Sequence, residues 1–256
     1  MITRDSRAAR KISVVAIGES HLAALARAYA SMAKTLPVRI HFMRVDQQEY
    51  RPPLDKKGKL NPRIAEILAN AKPKLILSCI GGNTHNVLGL VKHPRPFDVV
   101  LPEEPDLPLE DDAEIIPSDL IRETFRERLE KGPFIILRTL RRNFDVRIFH
   151  LEPPPPLPRQ HILRNPGSFF GARIQSLGVA PAALRYKLWR LHSAVLLSFC
   201  RDSGIEFVPV PAQTLDPEGM LVERAWGLDP THGNEWFGAQ AIMNALSLAG
   251  VRAFRR

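Results

Sequence analysis

The chain has 256 residues, of which 45% are hydrophobic, and it carries a formal net charge of +9. This length and apolar content suffice for one large globular domain, which we expect to span residues 1–256 with a flexible stretch over residues 1–10. The charge favours contacts with anionic substrates, membrane surfaces or nucleic acid. However, the sequence lacks zinc-finger spacing, a recognition-helix signature and a basic strand interleaved with aromatic residues, so it does not predict specific nucleic-acid binding.

The cysteines and the apolar runs bear on the cellular compartment. Cys79 and Cys200 lie in apolar stretches and are typical of small buried hydrophobic residues rather than of a disulfide framework. The apolar run at residues 12–17 is too short for a signal-peptide core or a membrane span, and no other uninterrupted apolar run is long enough to span. We therefore expect a cytoplasmic protein without a membrane span. The sequence does not indicate an oligomeric state.

The first eighty residues alternate between strand and helix patterns. Short, β-branched apolar runs are typical of strands that are covered on both faces, and apolar residues spaced three and four apart are typical of amphipathic helices. The predicted elements are strands at residues 12–17, 37–43 and 74–80, and helices at residues 22–33 and from Pro62. This order favours a parallel sheet covered by helices.

The rest of the chain is less regular. Residues 93–117 combine prolines with an acidic run, which predicts a solvated loop. The four prolines at 153–156 join neither a ladder nor a helix interior, so they predict a stiff, extended exit from a strand. The other predicted elements are a helix from Ser118, a strand at 144–151, a helix at 184–200, a strand at 205–210 and a helix at 236–248.

The first of three polar motifs is Gly18-Glu19-Ser20, which follows the first predicted strand. A serine between a strand end and a helix N-terminus exposes its hydroxyl at the carboxyl edge of the sheet, where open α/β sheets place their sites. The helix N-terminus offers free N–H groups for a developing oxyanion, while the hydroxyl itself needs a nearby base to become nucleophilic. The same position equally suits an ordinary helix-capping serine.

The second motif, Gly81-Gly82-Asn83, follows the third predicted strand. Its glycines allow the backbone to approach a substrate closely, and the Asn83 amide can donate to an oxyanion. A turn or helix cap is an equally good interpretation of this motif.

The third motif is Asp229-Pro230-Thr231-His232. Because Pro230 stiffens the turn, the Asp229 carboxylate can fold back onto Nδ1–H of His232 and leave Nε2 free to face a serine. The alternative is a turn stabilised by the Asp229 side chain that happens to include a surface histidine.

In this order, the three motifs resemble the SGNH (GDSL-like) hydrolase superfamily. The first block matches at Gly18-Glu19-Ser20, with Glu where the family usually has Asp, and the third at Gly81-Gly82-Asn83, with Thr84 in place of the final Asp. The fifth block, Asp-x-x-His, matches at residues 229–232. The resemblance implies an α/β protein with a flavodoxin-like three-layer α/β/α sandwich and a mainly parallel sheet.

The resemblance also implies roles for individual residues. Ser20 would be the nucleophile, His232 the base and Asp229 the acid that orients the base. Asn83 and the backbone N–H of Ser20 would bind the oxyanion, together with a glycine of the second block. Gly58 is our candidate for that glycine.

Residues beside these groups are expected to line the substrate cleft: Glu19, His21, Gly82 and His85. A metal site built from His21, His85, Asp229 and His232 is conceivable, but no paired metal-ligand spacing requires it. The sequence therefore predicts neither a metal nor a cofactor.

The predicted reaction is attack by a serine on a short-acyl ester through an acyl-enzyme, with a small molecule or a carbohydrate O-acetyl ester as the substrate. Hydrolysis of the acyl-enzyme by water makes an esterase, and its attack by a second alcohol makes an acyltransferase. Two alternatives from other classes stay open. One is a catalytically silent binding module whose basic surface meets an anionic partner, and the other is a metal-dependent hydrolase.

Overall fold

The central feature of the fold is a five-stranded parallel sheet. A computed structural model describes residues 11–251, so the stretch 1–10, expected to be flexible, lies outside the described residues. The strands are β1 (Ile12–Gly18), β2 (Val38–Arg44), β3 (Leu75–Cys79), β4 (Phe97–Asp98), β5 (Glu114–Ile115), β6 (Arg147–Leu151) and β7 (Glu206–Val208). The central sheet has the order β2-β1-β3-β6-β7, and β4 and β5 form a separate parallel pair.

Helices connect and cover these strands. They are α1 (Leu22–Met32), α2 (Pro62–Ala71), α3 (Thr84–Gly89), α4 (Ser118–Glu130), α5 (Pro133–Asn143), α6 (Arg159–Arg164), α7 (Gly167–Leu177), α8 (Ala182–Asp202) and α9 (Glu235–Leu248). None of the described helices is both long and apolar enough to cross a membrane.

Successive side chains of each strand point to opposite faces of the sheet, so the core has two layers. In β1, Val14 and Ala16 pack with α1 and α9 on one face, whereas Val15 and Ile17 pack with α2, α4, α5 and α8 on the other. Counted among the five central strands alone, the order is 2-1-3-4-5, which is that of flavodoxin-like sheets. The predicted three-layer α/β/α fold is confirmed.

The close packing of α1 on α9 depends on a glycine. A Cβ atom at Gly238 would collide with the backbone carbonyl of Ala24, so only glycine allows the two helices to approach this far. This contact matters for the site, because Ser20 precedes α1 and His232 precedes α9.

Several strand boundaries are narrower than predicted, for local reasons. The strand expected from residue 144 begins only at Arg147, because the N–H of Phe144 donates to Leu140 O and closes the end of α5. The strand expected at 205–210 is limited to Glu206–Val208, where Pro209 has no N–H to continue the ladder.

The interpretation of residues 93–117 as a solvated loop is wrong at residues 98, 99 and 101. Asp98, Val99 and Leu101 are almost completely buried there. The Asp98 carboxylate accepts a hydrogen bond of 2.9 Å from Lys187 Nζ in α8, and both side chains are at most 1% exposed. This buried ion pair holds the loop against the core.

Candidate active site

Ser20 lies between β1 and α1, at the carboxyl edge of the sheet. Its hydroxyl does not cap α1, whose N-cap position is occupied by His21 without a side-chain bond. Instead, Ser20 Oγ lies 2.7 Å from His232 Nε2. The fold thus brings together two side chains that are 212 positions apart in the sequence.

Asp229 holds the other side of the His232 ring. Both carboxylate oxygens lie 2.8 Å from His232 Nδ1. With Nδ1–H donating to Asp229, the lone pair of Nε2 faces the Ser20 hydroxyl. Burial tends to raise the pKa of Asp229, but the hydrogen bond and charge of His232, together with bonds from Thr231, lower it to about 2.

The Asp229 carboxylate is also fixed by the turn itself. Its Oδ1 accepts the backbone N–H groups of Thr231 at 2.9 Å and His232 at 3.1 Å. The side-chain turn that the sequence offered as an alternative is therefore present, and the same carboxylate also bonds to the imidazole.

The end of the motif is tied to rigid structure on both sides. The N–H of Gly227 donates to His232 O at 2.8 Å, and a Cβ atom at Gly227 would overlap this oxygen. Two residues after His232, the Asn234 side chain caps α9 by accepting the N–H groups of Trp236 and Phe237. His232 is therefore positioned by the helix that packs on α1.

Glu19 links the exits of two neighbouring strands. Its Oε2 accepts the backbone N–H of Gly81 at 3.2 Å. Burial raises the pKa of Glu19, and the bond from Gly81 opposes this rise. Glu19 also lines a surface pocket of about 210 Å³, together with Gly81 and Asn83.

Asn83 precedes α3 without capping it. Its Oδ1 accepts a hydrogen bond of 2.9 Å from Asn86 Nδ2, which fixes the orientation of the Asn83 amide. In this orientation, Nδ2 of Asn83 has no partner among residues 11–251, so a donor is free at the pocket.

His21 packs directly against His232. The two ring centres are 4.5 Å apart, and His21 is 6% exposed with its Nε2 unpartnered among the described residues. Burial, together with the proximity of His232, lowers the pKa of His21 to about 3. Gly82 packs closely against this ring, because a Cβ atom added at position 82 would lie only 3.0 Å from His21 Cδ2.

The prediction that His85 lines the cleft is wrong, because this residue is only 3% exposed. Its Nδ1 lies 3.1 Å from Nδ1 of His192 in α8. Burial lowers the pKa of His85 well below its usual range, and burial together with His150 lowers that of His192 to about 3. His150 and His192 were not predicted, because single histidines in apolar elements carry no motif.

Gly58 does not supply the expected oxyanion donor. Its N–H donates to Asp55 O at 3.0 Å and is therefore engaged inside its own turn. The positive φ of 72° explains why a glycine occupies this position of the turn.

The structure also shows how possible metal ligands are distributed and whether the two cysteines are paired. Across residues 11–251, no three His, Cys, Asp or Glu side chains are grouped so that they could hold a metal ion. Cys79 and Cys200 are both buried free thiols, and burial raises the pKa of each to about 12.

Comparisons with known proteins give structural similarity only. No family model matches the chain, and no curated protein is significantly similar to it. Similar solved structures include a GDSL-like lipase from Bacteroides thetaiotaomicron, with 14% identity, coverage of 93% of this chain and 86% of that one, and a TM-score of 0.43. A carbohydrate acetylesterase from Sinorhizobium meliloti has 12% identity, coverage of 93% and 99%, and a TM-score of 0.44.

A third similar structure is the periplasmic domain of a lipopolysaccharide acetyltransferase from Salmonella ser. Paratyphi A. It has 14% identity, coverage of 95% of this chain and 85% of that one, and a TM-score of 0.45. These names describe the neighbours.

Proposed function

We propose that the chain is a serine hydrolase of the SGNH type that transfers the acyl group of a short-acyl ester to Ser20. The observation that carries this proposal is the continuous relay from Ser20 Oγ to His232 Nε2 at 2.7 Å and from His232 Nδ1 to Asp229 at 2.8 Å. A hydroxyl, an imidazole and a carboxylate in this arrangement are the parts that acyl transfer by serine requires.

In the first step, Ser20 Oγ attacks the ester carbonyl while His232 Nε2 accepts the hydroxyl proton. Asp229 stabilises the imidazolium that forms, and its low pKa keeps it ionised throughout. Collapse of the tetrahedral intermediate expels the alcohol, which takes the proton from His232. Water or a second alcohol, deprotonated by His232, then releases the acyl group from Ser20.

The developing oxyanion needs donors on the side of the carbonyl that faces away from His232. The Asn83 amide and the Ser20 N–H serve this role, because the Gly58 amide is engaged elsewhere. Asn86 orients the Asn83 amide before substrate arrives, and such preorganised donors are usually worth about 3 kcal/mol each in the transition state.

The substrate is a small or carbohydrate-borne ester with a short acyl group such as acetyl. We assign the acyl group to the pocket of about 210 Å³ that is lined by Glu19, which precedes Ser20, and by Gly81 and Asn83. The chemistry of the site leaves the identity of the alcohol open, and product analysis distinguishes hydrolysis from transfer to a second alcohol.

A fluorophosphonate probe tests the proposal directly. We expect covalent labelling at Ser20, loss of labelling in Ser20→Ala and His232→Gln, and normal labelling in Ser31→Ala. Ser31 is a suitable control because its hydroxyl bonds to Ala28 O within α1. Peptide mapping gives the labelled position and circular dichroism checks the fold. A folded protein without label at Ser20 would contradict the proposal.

A further inference from the structure

A second cavity lies between α8 and the segments that follow β6 and β7. Its volume is about 450 Å³, within the range of small-molecule sites. None of Ser20, Asn83 and His232 lines it. Most of its wall is apolar, and the apolar lining residues include Trp189, Leu191, Leu197, Phe207, Pro209 and Val210.

Two buried polar atoms in this wall have no partner among the described residues. One is the hydroxyl of Ser193, a residue that is 7% exposed, and the other is Nε of Arg122. A buried donor without a partner destabilises the protein, because it has lost its bonds to water. Ordered water or a ligand that enters the cavity can recover this energy.

A carboxyl group lies beside them. Glu152 lines the same cavity, and its Oε2 accepts the N–H of Val210 at 2.8 Å. Burial raises the pKa of Glu152, and the Val210 N–H opposes this rise. The Ser193 hydroxyl also opposes it because it lies close to the carboxyl, but it makes no hydrogen bond of regular geometry there. The wall thus offers acceptor oxygens at Glu152 and donors at Ser193 and Arg122, which a hydroxyl group can satisfy in both directions.

The two arginines at this cavity are already paired. Arg190 Nη1 lies 2.7 Å from Glu104, and Arg122 Nη2 lies 3.1 Å from Glu103. An anionic ligand would therefore lose its hydration without finding an unpaired cation, which is costly. A cationic ligand would meet only Glu152, whose burial raises its pKa and so favours the neutral carboxyl, and whose charge Arg190 already offsets in part. A neutral ligand does not face this cost.

We propose that this cavity binds an uncharged ligand with a hydroxyl group on an apolar body. A sugar ring and a short alkyl alcohol share this chemistry. The hydroxyl donates to the Glu152 carboxylate and accepts from Ser193 or Arg122, while the apolar body packs against Leu197 and Phe207. The site is distinct from the Ser20 relay, so the proposal does not depend on the reaction proposed above.

Ligand-detected NMR titration tests the proposal with four probes. The neutral probes are methyl β-D-glucopyranoside and 1-hexanol, and the charged probes are hexanoate and hexylammonium. We expect saturable binding of at least one neutral probe, with each charged probe at least tenfold weaker. The neutral probe that binds more tightly identifies the source of the hydroxyl. If neither neutral probe saturates, or a charged probe binds as tightly, the proposal is overturned.

Two variants of α8 locate the binding. Ser193→Ala removes one hydrogen bond and should weaken the neutral probe about fivefold. Ser198→Ala is the matched control on the same helix, because its half-buried hydroxyl does not line the cavity and should leave the affinity unchanged. Equal affinities in the two variants would overturn the assignment. Fluorophosphonate labelling of Ser20 in both variants reports separately on the fold and on the proposed reaction.

Discussion

Lowering the pH from 7.0 to 5.5 should destabilise this protein strongly, because four buried histidines are neutral in the folded state. They are His21, His85, His150 and His192. Burial lowers the pKa of His21 and His192 to about 3, that of His150 to about 4, and that of His85 well below its usual range. In the unfolded chain, the pKa of each returns to the usual histidine value of 6.5.

The sign of the effect follows from proton linkage. Below pH 6.5 the unfolded chain binds protons that the folded protein excludes, so stability is fully present above this pH and is lost as the pH falls towards 3–4. Between pH 7.0 and 5.5, one such histidine accounts for about 1.2 kcal/mol, and four account for about 5 kcal/mol. This is a large part of the 5–15 kcal/mol that typically stabilises a domain.

Urea unfolding at the two pH values, followed by circular dichroism, measures this difference. His150→Gln removes one titrating group and retains a polar atom near Ser78 Oγ, which lies 3.3 Å from His150 Nδ1. This variant should lose about 1.2 kcal/mol less than the parent between pH 7.0 and 5.5. His93→Gln is the control, because His93 is exposed and its replacement should leave the pH dependence unchanged.

The raised pKa values of Glu19 and Glu152 act in the opposite direction, since these carboxyls bind protons more readily in the folded state. The parent therefore reports only the net change in the free energy of unfolding with pH. The difference between this change in the parent and in His150→Gln gives the contribution of one histidine. Equal pH dependences of the free energy of unfolding in the parent and in His150→Gln would refute the reasoning.

Two further predictions concern the relay and the core. Asp229→Asn should lower kcat/KM for a short-chain p-nitrophenyl ester by about 10⁴-fold, because an amide no longer holds the reactive tautomer of His232. The circular dichroism spectrum should stay unchanged. Unchanged turnover would show that Asp229 does not orient His232. Lys187→Met should cost about 3–5 kcal/mol in urea unfolding, because it leaves the Asp98 carboxylate buried and unpaired. The double variant with Asp98→Asn should recover part of this loss, and strictly additive effects would contradict the coupling.

The sheet and its long helices were predictable because their signals are local. Apolar β-branched runs mark buried strands, and the long apolar periodicity before residue 200 marks α8. The sequence patterns do not predict α3, α5, α6 or α7. The helices α3 and α6 have six residues each, too few to display a period, and α5 and α7 begin at Gly-Pro and Pro-Gly pairs that usually indicate turns.

The residues of the candidate site that belong to short motifs were predictable from the sequence. The residues that only tertiary packing brings to the site were not. Ser20 and His232 stand in recognisable blocks, and the fold brings them within hydrogen-bond distance. By contrast, His192, the partner of His85, lies 107 positions away in α8, and the sequence pattern there indicates only a buried helix. Only the crossing of α3 and α8 reveals that both rings are buried together.

The two departures from the usual block pattern, Glu19 and Thr84, meet at one residue. Glu19 Oε2 accepts the N–H of Gly81 at 3.2 Å, and Thr84 Oγ1 donates to Gly81 O at 3.2 Å. Gly81 has a φ of +79° and begins the loop that presents Asn83, so both of its backbone groups are held by side chains that replace aspartates. An aspartate at position 19 would be shorter by about 1.5 Å and would not reach this N–H without a shift of the backbone. Both side chains therefore anchor the backbone of Gly81, two residues before Asn83.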